Sequence, residues 1–336
     1  MITIKDIARI LNISPSTVSI VLRGEGEARK ISRKTQQRIM ETARKTGYTP
    51  NVQAKVLRGG TPKRMVVTLF WASDIRPYIL SRFLIGLQES LIRHDYGIEL
   101  QVCPYRAGHL SESMTDHAML STNGAVICNA SDSDLAFLEE AEFPVPIVLY
   151  NRSSSKYPTV SMDDAVIGRL PAEAFLRHGC KRPAIVRSEA AFRGMDIRTD
   201  AFAAKMTENG RREPAVFTVT DTAEGGFAAG HAIAALKEER PDCLLCTSDV
   251  IAIGALKALI ENGIRVPDQI QMISIGNGAA EFTAFSSPSV SIVELPMEEM
   301  ADACLQRLHR AVAGMDLTPD SVIVPVRYTA RESCPE

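Results

Sequence analysis

A short stretch near the start of the chain holds side chains suited to binding phosphate. Ser14, Thr17 and Ser19 carry hydroxyls, and Arg23, Arg29 and Lys30 carry positive charge. Such groups hydrogen-bond or ion-pair with the backbone oxygens of nucleic acid. Enzyme chemistry has no comparable signature. GGTP at 59–62 lacks the Lys-Ser/Thr of a phosphate loop, and H-E-x-x-H, G-x-S-x-G and G-x-G-x-x-G are absent. GNG at 276–278 reads as a loop. The six histidines, His94, His109, His117, His178, His231 and His309, show no metal-ligand spacing. Among seven cysteines, only Cys243 and Cys246 form a C-x-x-C, with no second pair. They lie in CLLCTS, an apolar run that reads as a buried strand, so packing is the expected role. The odd, scattered set suits a reducing compartment. No metal, cofactor or catalytic activity is expected.

The hydroxyls and charges need a scaffold, and residues 3–24 supply one. Thr3 is placed as an N-cap, with Asp6 favouring the positive helix end. Ile4, Ile7, Ala8 and Leu11 follow at helical spacing. Asn12 serves the turn, Ser14 caps a second helix, and Pro15 takes its first position, where a missing N–H costs nothing. Val18, Val21 and Leu22 form the apolar side of that helix and Gly24 ends it. Two short helices with a tight turn predict a helix-turn-helix, whose second helix enters a DNA major groove. Ser32 opens a third helix in which Ile39, Met40 and Ala43 face the first two. Gly47 and Pro50 end it. Residues 1–60 hold twelve Lys or Arg against four Asp or Glu, a net +8, whereas the whole chain is −2. A basic head on an acidic body is the electrostatic footprint of phosphate binding.

The segments TIKDIARILNISPSTVSIVLRG and RKISRKTQQRIMETARKTGYTPNVQAKVLRGG, with the signatures TVS-x-VL and GY-x-PN-x-x-A, resemble the head of a lactose/purine-repressor (LacI) family regulator. The resemblance implies that Pro15, Ser16 and Ile20 read bases and that Thr3 also belongs to the DNA-binding set. Many members carry Arg or another polar residue at the position of Ile20. Ile20 cannot hydrogen-bond a base, but it can touch a thymine methyl. NVQAKVL at 51–57 is too short to hold as a free helix. In the family it is a hinge helix that orders on operator DNA, so Asn51, Ala54, Lys55 and Leu57 join the DNA contacts, with Leu57 as a minor-groove wedge.

From Met65 the pattern alternates strand and helix, which predicts parallel sheets with right-handed crossovers. Strands are expected in MVVTLFW, IELQVCP, AVICNA, PVPIVLYN and TVSM, then in PAIVRS, AVFTVT, DCLLCTSD and QMISIGN. The second series opens with DDAVIGRLPAEAFLRHG, where Pro171 predicts a kink or early stop. HGCKRPAIV, SDVIAIGALKALIENGIRVPDQIQMISIGN and VSIVELPMEEMADACLQRL are similar to the family's effector domain, which resembles periplasmic sugar-binding proteins. The expected fold is therefore an all-α helix-turn-helix head (1–47), a hinge and linker (48–60), and a bilobed α/β periplasmic-binding-protein-like body with parallel sheets (61–336). Chain crossings near 161, 290 and 321 would give one lobe of 64–161 plus 291–320 and another of 162–289 plus 322–330.

The resemblance implies an effector between the lobes, at the carboxyl ends of the strands. Trp71 ends the first strand and is followed by Ser73 and Asp74, and Asn151 and Arg152 end the fourth. Arg198 in R-x-x-A-F matches an effector-contacting R-x-x-G-F, Ser248-Asp249 stands where Asn-Asp is common, and Asn277 ends a strand. Asp249 serves equally well as a cap for the next helix. Two departures stand out: Gly276-Asn277-Gly278 replaces G-F-D, removing an acidic contact, and RPYILSRFL replaces N-P-F-F. A carbohydrate or derivative is the expected effector on family grounds. Operator DNA and a second copy of the chain are the expected partners. With no apolar run of about 18 residues and no signal peptide, a cytoplasmic repressor with no membrane association is expected. The alternative is a solute-binding or sugar-processing protein with an incidental basic head, which would need a secretion signal or a catalytic constellation.

Overall fold

A computed structural model describes residues 3–22, 26–46, 65–73, 77–189, 193–276, 278, 280–314 and 320–336. The expected hinge and linker at 48–60, with Gly24 and Gly47, lie outside them.

The head consists of α1 (Ile4–Leu11), α2 (Pro15–Leu22) and α3 (Arg33–Lys45). Their core is Ile7, Ala8, Val18, Val21, Ile39 and Ala43, closed over by Ile4, Leu11, Ile13, Leu22 and Ile31. Thr3 and Asp6 form a reciprocal capping box. The Asp6 N–H donates to Thr3 Oγ1 at 3.3 Å, and the Thr3 N–H donates to Asp6 Oδ2 at 3.0 Å. Asn12 ends α1 in the left-handed region at φ 54°, a conformation its short polar side chain tolerates. Ser14 Oγ accepts the Thr17 N–H at 3.1 Å, and Ser32 Oγ the Thr35 N–H at 3.2 Å. Met40 departs from expectation, being 55% exposed. Ile39 and Ala43, four residues apart, already share the inward face, and Met40 is rotated off it.

The body alternates strands and helices. Its first series is β1 (Met65–Ala72), α4 (Pro77–His94), β2 (Ile98–Tyr105), α5 (Leu110–Ser113), α6 (Asp116–Leu120), β3 (Gly124–Cys128), α7 (Asp132–Glu140), β4 (Ile147–Tyr150) and β5 (Thr159–Ser161). The second is α8 (Asp164–Arg177), β6 (Pro183–Ser188), α9 (Arg193–Glu208), β7 (Ala215–Val219), α10 (Ala223–Ala235), β8 (Cys243–Cys246), α11 (Asp249–Glu261), β9 (Gln271–Gly276) and α12 (Ala280–Ala284). The chain closes with β10 (Ser291–Glu294), α13 (Met297–Val312), β11 (Ser321–Ile323) and β12 (Arg327–Thr329). By internal contacts, one unit comprises Met1–Phe70, Gly97–Val126 and Ala130–Ile147, the other Trp71–Tyr96, Ile127–Asn129 and Val148–Glu336.

Two six-stranded sheets result, ordered β11-β5-β4-β3-β1-β2 and β12-β10-β9-β8-β6-β7. In the second sheet β6 pairs parallel with β7 and β8, β8 with β9, and β9 with β10. Only the short edge strand β12 runs antiparallel there, against β10. Strands such as β8, CLLC, are buried throughout, as expected where helices cover both faces of a parallel sheet. Among the described residues no helix is long and apolar enough to cross a membrane.

One expectation is corrected. The sheet changes do not fall at 290 and 321: β10 still pairs with β9, and β11 pairs with β5. The chain changes sheet just after each of these strands, at Leu295-Pro296 and Val324-Pro325. A proline has no N–H for the ladder, so these prolines rather than the preceding loops end the pairing. Pro171 lies inside α8 as expected, and of the kink or early stop the stop does not occur, since the helix runs on to Arg177.

Helices α10 and α11 approach closely through glycine. A Cβ on Gly254 would lie 1.9 Å from the Ala223 carbonyl oxygen and 2.7 Å from the Phe227 nitrogen, and one on Gly226 would lie 2.1 Å from the Ile251 carbonyl oxygen. Alanine gains about 1 kcal/mol in helix propensity, but overpacking costs about 1–3 kcal/mol and here the obstacle is backbone. Gly254→Ala is therefore expected to lower the thermal midpoint of the body; an unchanged or raised midpoint would show that the helices separate freely.

Candidate functional site

In the head, α2 turns its start outward. Ser14, Pro15 and Ser16 are exposed, while Thr17, Ser19 and Ile20 are half-buried. Val18 and Val21 point into the core, and Ile20 is not part of that core. It is left for an apolar contact at the helix surface. Arg29 and Lys30 are exposed in the turn before α3, with Lys30 in the left-handed region at φ 57°. The Thr3 hydroxyl also donates to Asp6 Oδ2 at 2.7 Å, so it orders α1 as well as facing solvent. The Thr3 hydrogen bonds, side chain first and then backbone, hold the Asp6 carboxyl below its usual range. Arg23, Asn51, Ala54, Lys55 and Leu57 lie outside the described residues.

In the body, the candidates stand at strand ends or on the helices that follow them. Arg198 on α9 is 3% exposed. Its Nε and Nη2 both lie 2.7 Å from Asp164 Oδ1 at the start of α8, and Nη2 lies 3.9 Å from Met162 Sδ. Ser248, not Asp249, caps α11: its Oγ accepts the Ile251 N–H at 3.4 Å and donates to Asp221. Asp249, 1% exposed, instead ties the start of α11 to β9 and the loop after it. Its Oδ1 accepts the Ser274 hydroxyl at 2.8 Å and its Oδ2 the Gly278 N–H at 2.7 Å. Asn151 follows β4 at φ 55°, its N–H donating to Val160 O at 2.7 Å. Arg152 Nη1 donates to Asn151 O at 2.6 Å. Ser73 is exposed. Asp74 and Asn277 are outside the described residues.

Trp71 is 2% exposed. Its ring packs against Phe83 and Tyr150 at centroid distances of 5.5 and 6.1 Å, so it supports the site from the core rather than offering an open face. Burial pushes the Tyr150 hydroxyl well above its usual range, and it donates to Met297 Sδ at 2.7 Å.

Other buried or half-buried polar contacts carried little sequence signal. Arg82 on α4 donates to both oxygens of Glu298, through Nε at 2.8 Å and Nη2 at 2.7 Å. It also reaches Leu295 O at 2.9 Å and Gly276 O at 3.3 Å. Burial opposes its charge, but Glu298 outweighs that and holds the guanidinium above its usual range. Arg82 thus joins α4 to the end of β9 and the start of α13. It borders a cavity of about 540 Å³ whose wall also includes Tyr78, Gly278, Glu294, Arg327 and Arg331. Among the described residues, that wall includes none of Trp71, Asn151, Arg152, Arg198, Ser248 and Asp249; Gly278 connects it to Asp249. Asp164 and Asp221 were missed for one reason: each pairs with a partner 34 or 27 residues away. The one available hint was Arg82 itself, a charge inside the apolar run of α4.

Residues 3–51 match the family described as bacterial regulatory proteins, lacI family, and residues 172–334 match a periplasmic binding protein-like domain. The chain is 26% identical to the probable HTH-type transcriptional repressor ExuR of Bacillus subtilis (strain 168), over 99% of this chain and 98% of that protein. The crystal structure of a LacI family transcription regulator from Clostridium acetobutylicum is similar at 32% identity and a TM-score of 0.76, covering 80% of this chain and 100% of that one. The lac repressor dimer bound to operator and the anti-inducer ONPF shares the fold, with a TM-score of 0.71 at 18% identity over 100% of this chain and 99% of that one.

Proposed function

The chain belongs to the lacI family of bacterial regulatory proteins, and from that premise we propose a cytoplasmic, homodimeric repressor whose effector is a carbohydrate or a derivative of one. It is a DNA-binding transcriptional regulator. One observation carries the DNA reading: a self-contained three-helix core leaves Ser14, Pro15 and Ser16 exposed at the start of α2, in a segment of net charge +8. Ser14, Thr17, Ser19, Arg23, Arg29 and Lys30 hold phosphates, while Pro15, Ser16 and Ile20 meet base edges. Asn51, Ala54, Lys55 and Leu57 form the hinge contacts. Two heads on two half-sites is the geometric logic of a dimer, and the lac repressor, whose fold the chain shares, is a dimer on its operator.

The effector reading rests on the polar residues that follow the strands in sequence. Asn151 and Arg152 follow β4, Ser248 and Asp249 follow β8, and Asn277 follows β9. Parallel sheets bind ligands at these carboxyl ends. With the head at 1–47 and the hinge at 48–60, the body at 61–336 senses the ligand as two lobes, and differential affinity for their two arrangements sets the response. No catalytic role is assigned. The experiment uses the intact protein, a panel of sugars and nucleosides, and a duplex selected from random sequence. One ligand class should raise the thermal midpoint and change operator affinity by about 5–150-fold. Raising salt from about 50 to 200 mM should lower operator affinity by about 1,000-fold or more through counterion release. Salt-independent binding, or failure to select any duplex, would favour a solute-binding protein instead.

A further inference from the structure

The cysteine pair singled out by spacing is not the pair the fold brings together. Cys243 and Cys246 stand three apart on β8 and so point to opposite faces of the sheet. Cys246 joins the apolar core. Cys243 instead meets Cys180, from the turn between α8 and β6, and Asp242. The two sulfurs and a carboxylate oxygen all lie within 4.8 Å of one another. Gln271, the first residue of β9, adds an amide oxygen that accepts the Cys180 thiol at 3.4 Å and the Cys334 thiol at 3.5 Å. Pro183, Cys243 and Gln271 are in register across β6, β8 and β9. The cluster therefore sits at the amino edge of the second sheet, away from the strand ends assigned to the effector.

We propose that Cys180, Cys243 and Asp242 form a binding site for a borderline-soft divalent cation, Zn²⁺, with Gln271 Oε1 as a fourth ligand and Cys334 close behind it. Tetrahedral zinc, with Zn–S bonds of about 2.3 Å and Zn–O bonds of about 2.1 Å, sets its ligand atoms roughly 3.5–4 Å apart. The cluster needs little movement to reach that. Thiolate pairs with a carboxylate select zinc over the hard cations Mg²⁺ and Ca²⁺, which take oxygen ligands. On binding, each thiol gives its proton to solvent and each sulfur donates an electron pair to the metal. Two thiolates and one carboxylate against Zn²⁺ leave a net −1.

The surroundings permit both entry and anchoring. Asp242 and Gln271 are half-buried, whereas Cys180 and Cys243 are 6% and 0% exposed, so the oxygen ligands face the entry side. The Asp242 carboxylate is already held by the N–H groups of Lys181 and Arg182, at 2.9–3.1 Å. Such outer hydrogen bonds orient a ligand carboxylate. The bound metal would tie the α8–β6 turn to β8 and, through Gln271, to the C-terminal tail at Cys334.

The test titrates the reduced, full-length protein with Zn²⁺ and, for its ultraviolet thiolate-to-metal charge-transfer band, with Cd²⁺. One equivalent should bind with a rise in thermal midpoint, and Cd²⁺ should produce the band. Cys180→Ser and Cys243→Ser exchange one atom each and should lower affinity at least about tenfold, with loss of the band. Cys103→Ser, at a half-exposed thiol on β2, should change neither. Circular dichroism checks that each variant folds. Absence of stoichiometric uptake, or equal uptake by the Cys180→Ser, Cys243→Ser double variant, overturns the proposal. So does a Cys180–Cys243 disulfide formed with peroxide in a protein that takes up no metal when reduced.

Discussion

Replacing Ile7 by alanine is expected to unfold the head and abolish operator binding while leaving the body intact. Ile7 is fully buried at the centre of a core of six residues. Deleting its side chain to alanine costs about 2–5 kcal/mol, because three short helices cannot collapse around the cavity. A module of this size holds at most about 3–5 kcal/mol of stability, so the loss matches the whole reserve. Each 1.4 kcal/mol beyond that reserve removes about tenfold of the competent heads. The readouts are operator affinity and the thermal transition of the body, and only the first should change. Undiminished affinity would mean that the DNA surface lies elsewhere.

Removing Arg198 is expected to have two separable effects. The guanidinium is buried against Asp164, whose side chain is 17% exposed. Taking away one partner of a buried pair costs about 3–5 kcal/mol, because the other charge stays behind; the partial exposure of Asp164 favours the lower end. Arg198→Ala should therefore lower the thermal midpoint even without ligand. A lost ligand response in that variant would prove little by itself. The Arg198→Met, Asp164→Leu double variant separates the roles, since replacing both charges by apolar groups of similar volume is often neutral. Stability should return with the pair removed. If Arg198 also contacts the effector, the ligand-induced change in operator affinity should stay absent. A double variant that regains both would reduce Arg198 to a partner for Asp164 and move the effector contact elsewhere.

The distribution of charge has a consequence for the same experiments. Because the head carries +8 and the chain as a whole −2, salt should weaken operator binding without a matching effect on ligand binding in the body. The two affinities can then be followed independently in one protein.

Much of the head was legible in the sequence because its determinants are local. The Thr3–Asp6 capping box, the left-handed Asn12 and the Ser14 cap all act within three or four residues, and the apolar spacing that predicts α1 and α2 also fills their core. The strand runs of the body were legible for the same reason, since a strand buried on both faces is apolar along its length. Sheet membership was not local. Whether SIVE ends one sheet or begins the next depends on pairing with β9, and the prolines at 296 and 325, not the run itself, mark the change.

The side chains that meet in space were decided by the tertiary structure alone. Spacing paired Cys243 with Cys246, but the pleat turns them apart, while the sheet register sets Gln271 beside Cys243 and the turn before β6 brings Cys180 to it. Asp249 appeared equally suited to capping α11; Ser248 took that place, freeing the carboxylate for Ser274 and Gly278. Trp71 had the chemistry of a ligand face, yet Phe83 and Tyr150 close around it. Residue type and spacing determine local hydrogen bonding and the burial of a face. Which distant charge or ring completes a site depends on the order of strands in a sheet, and no local free energy encodes that order.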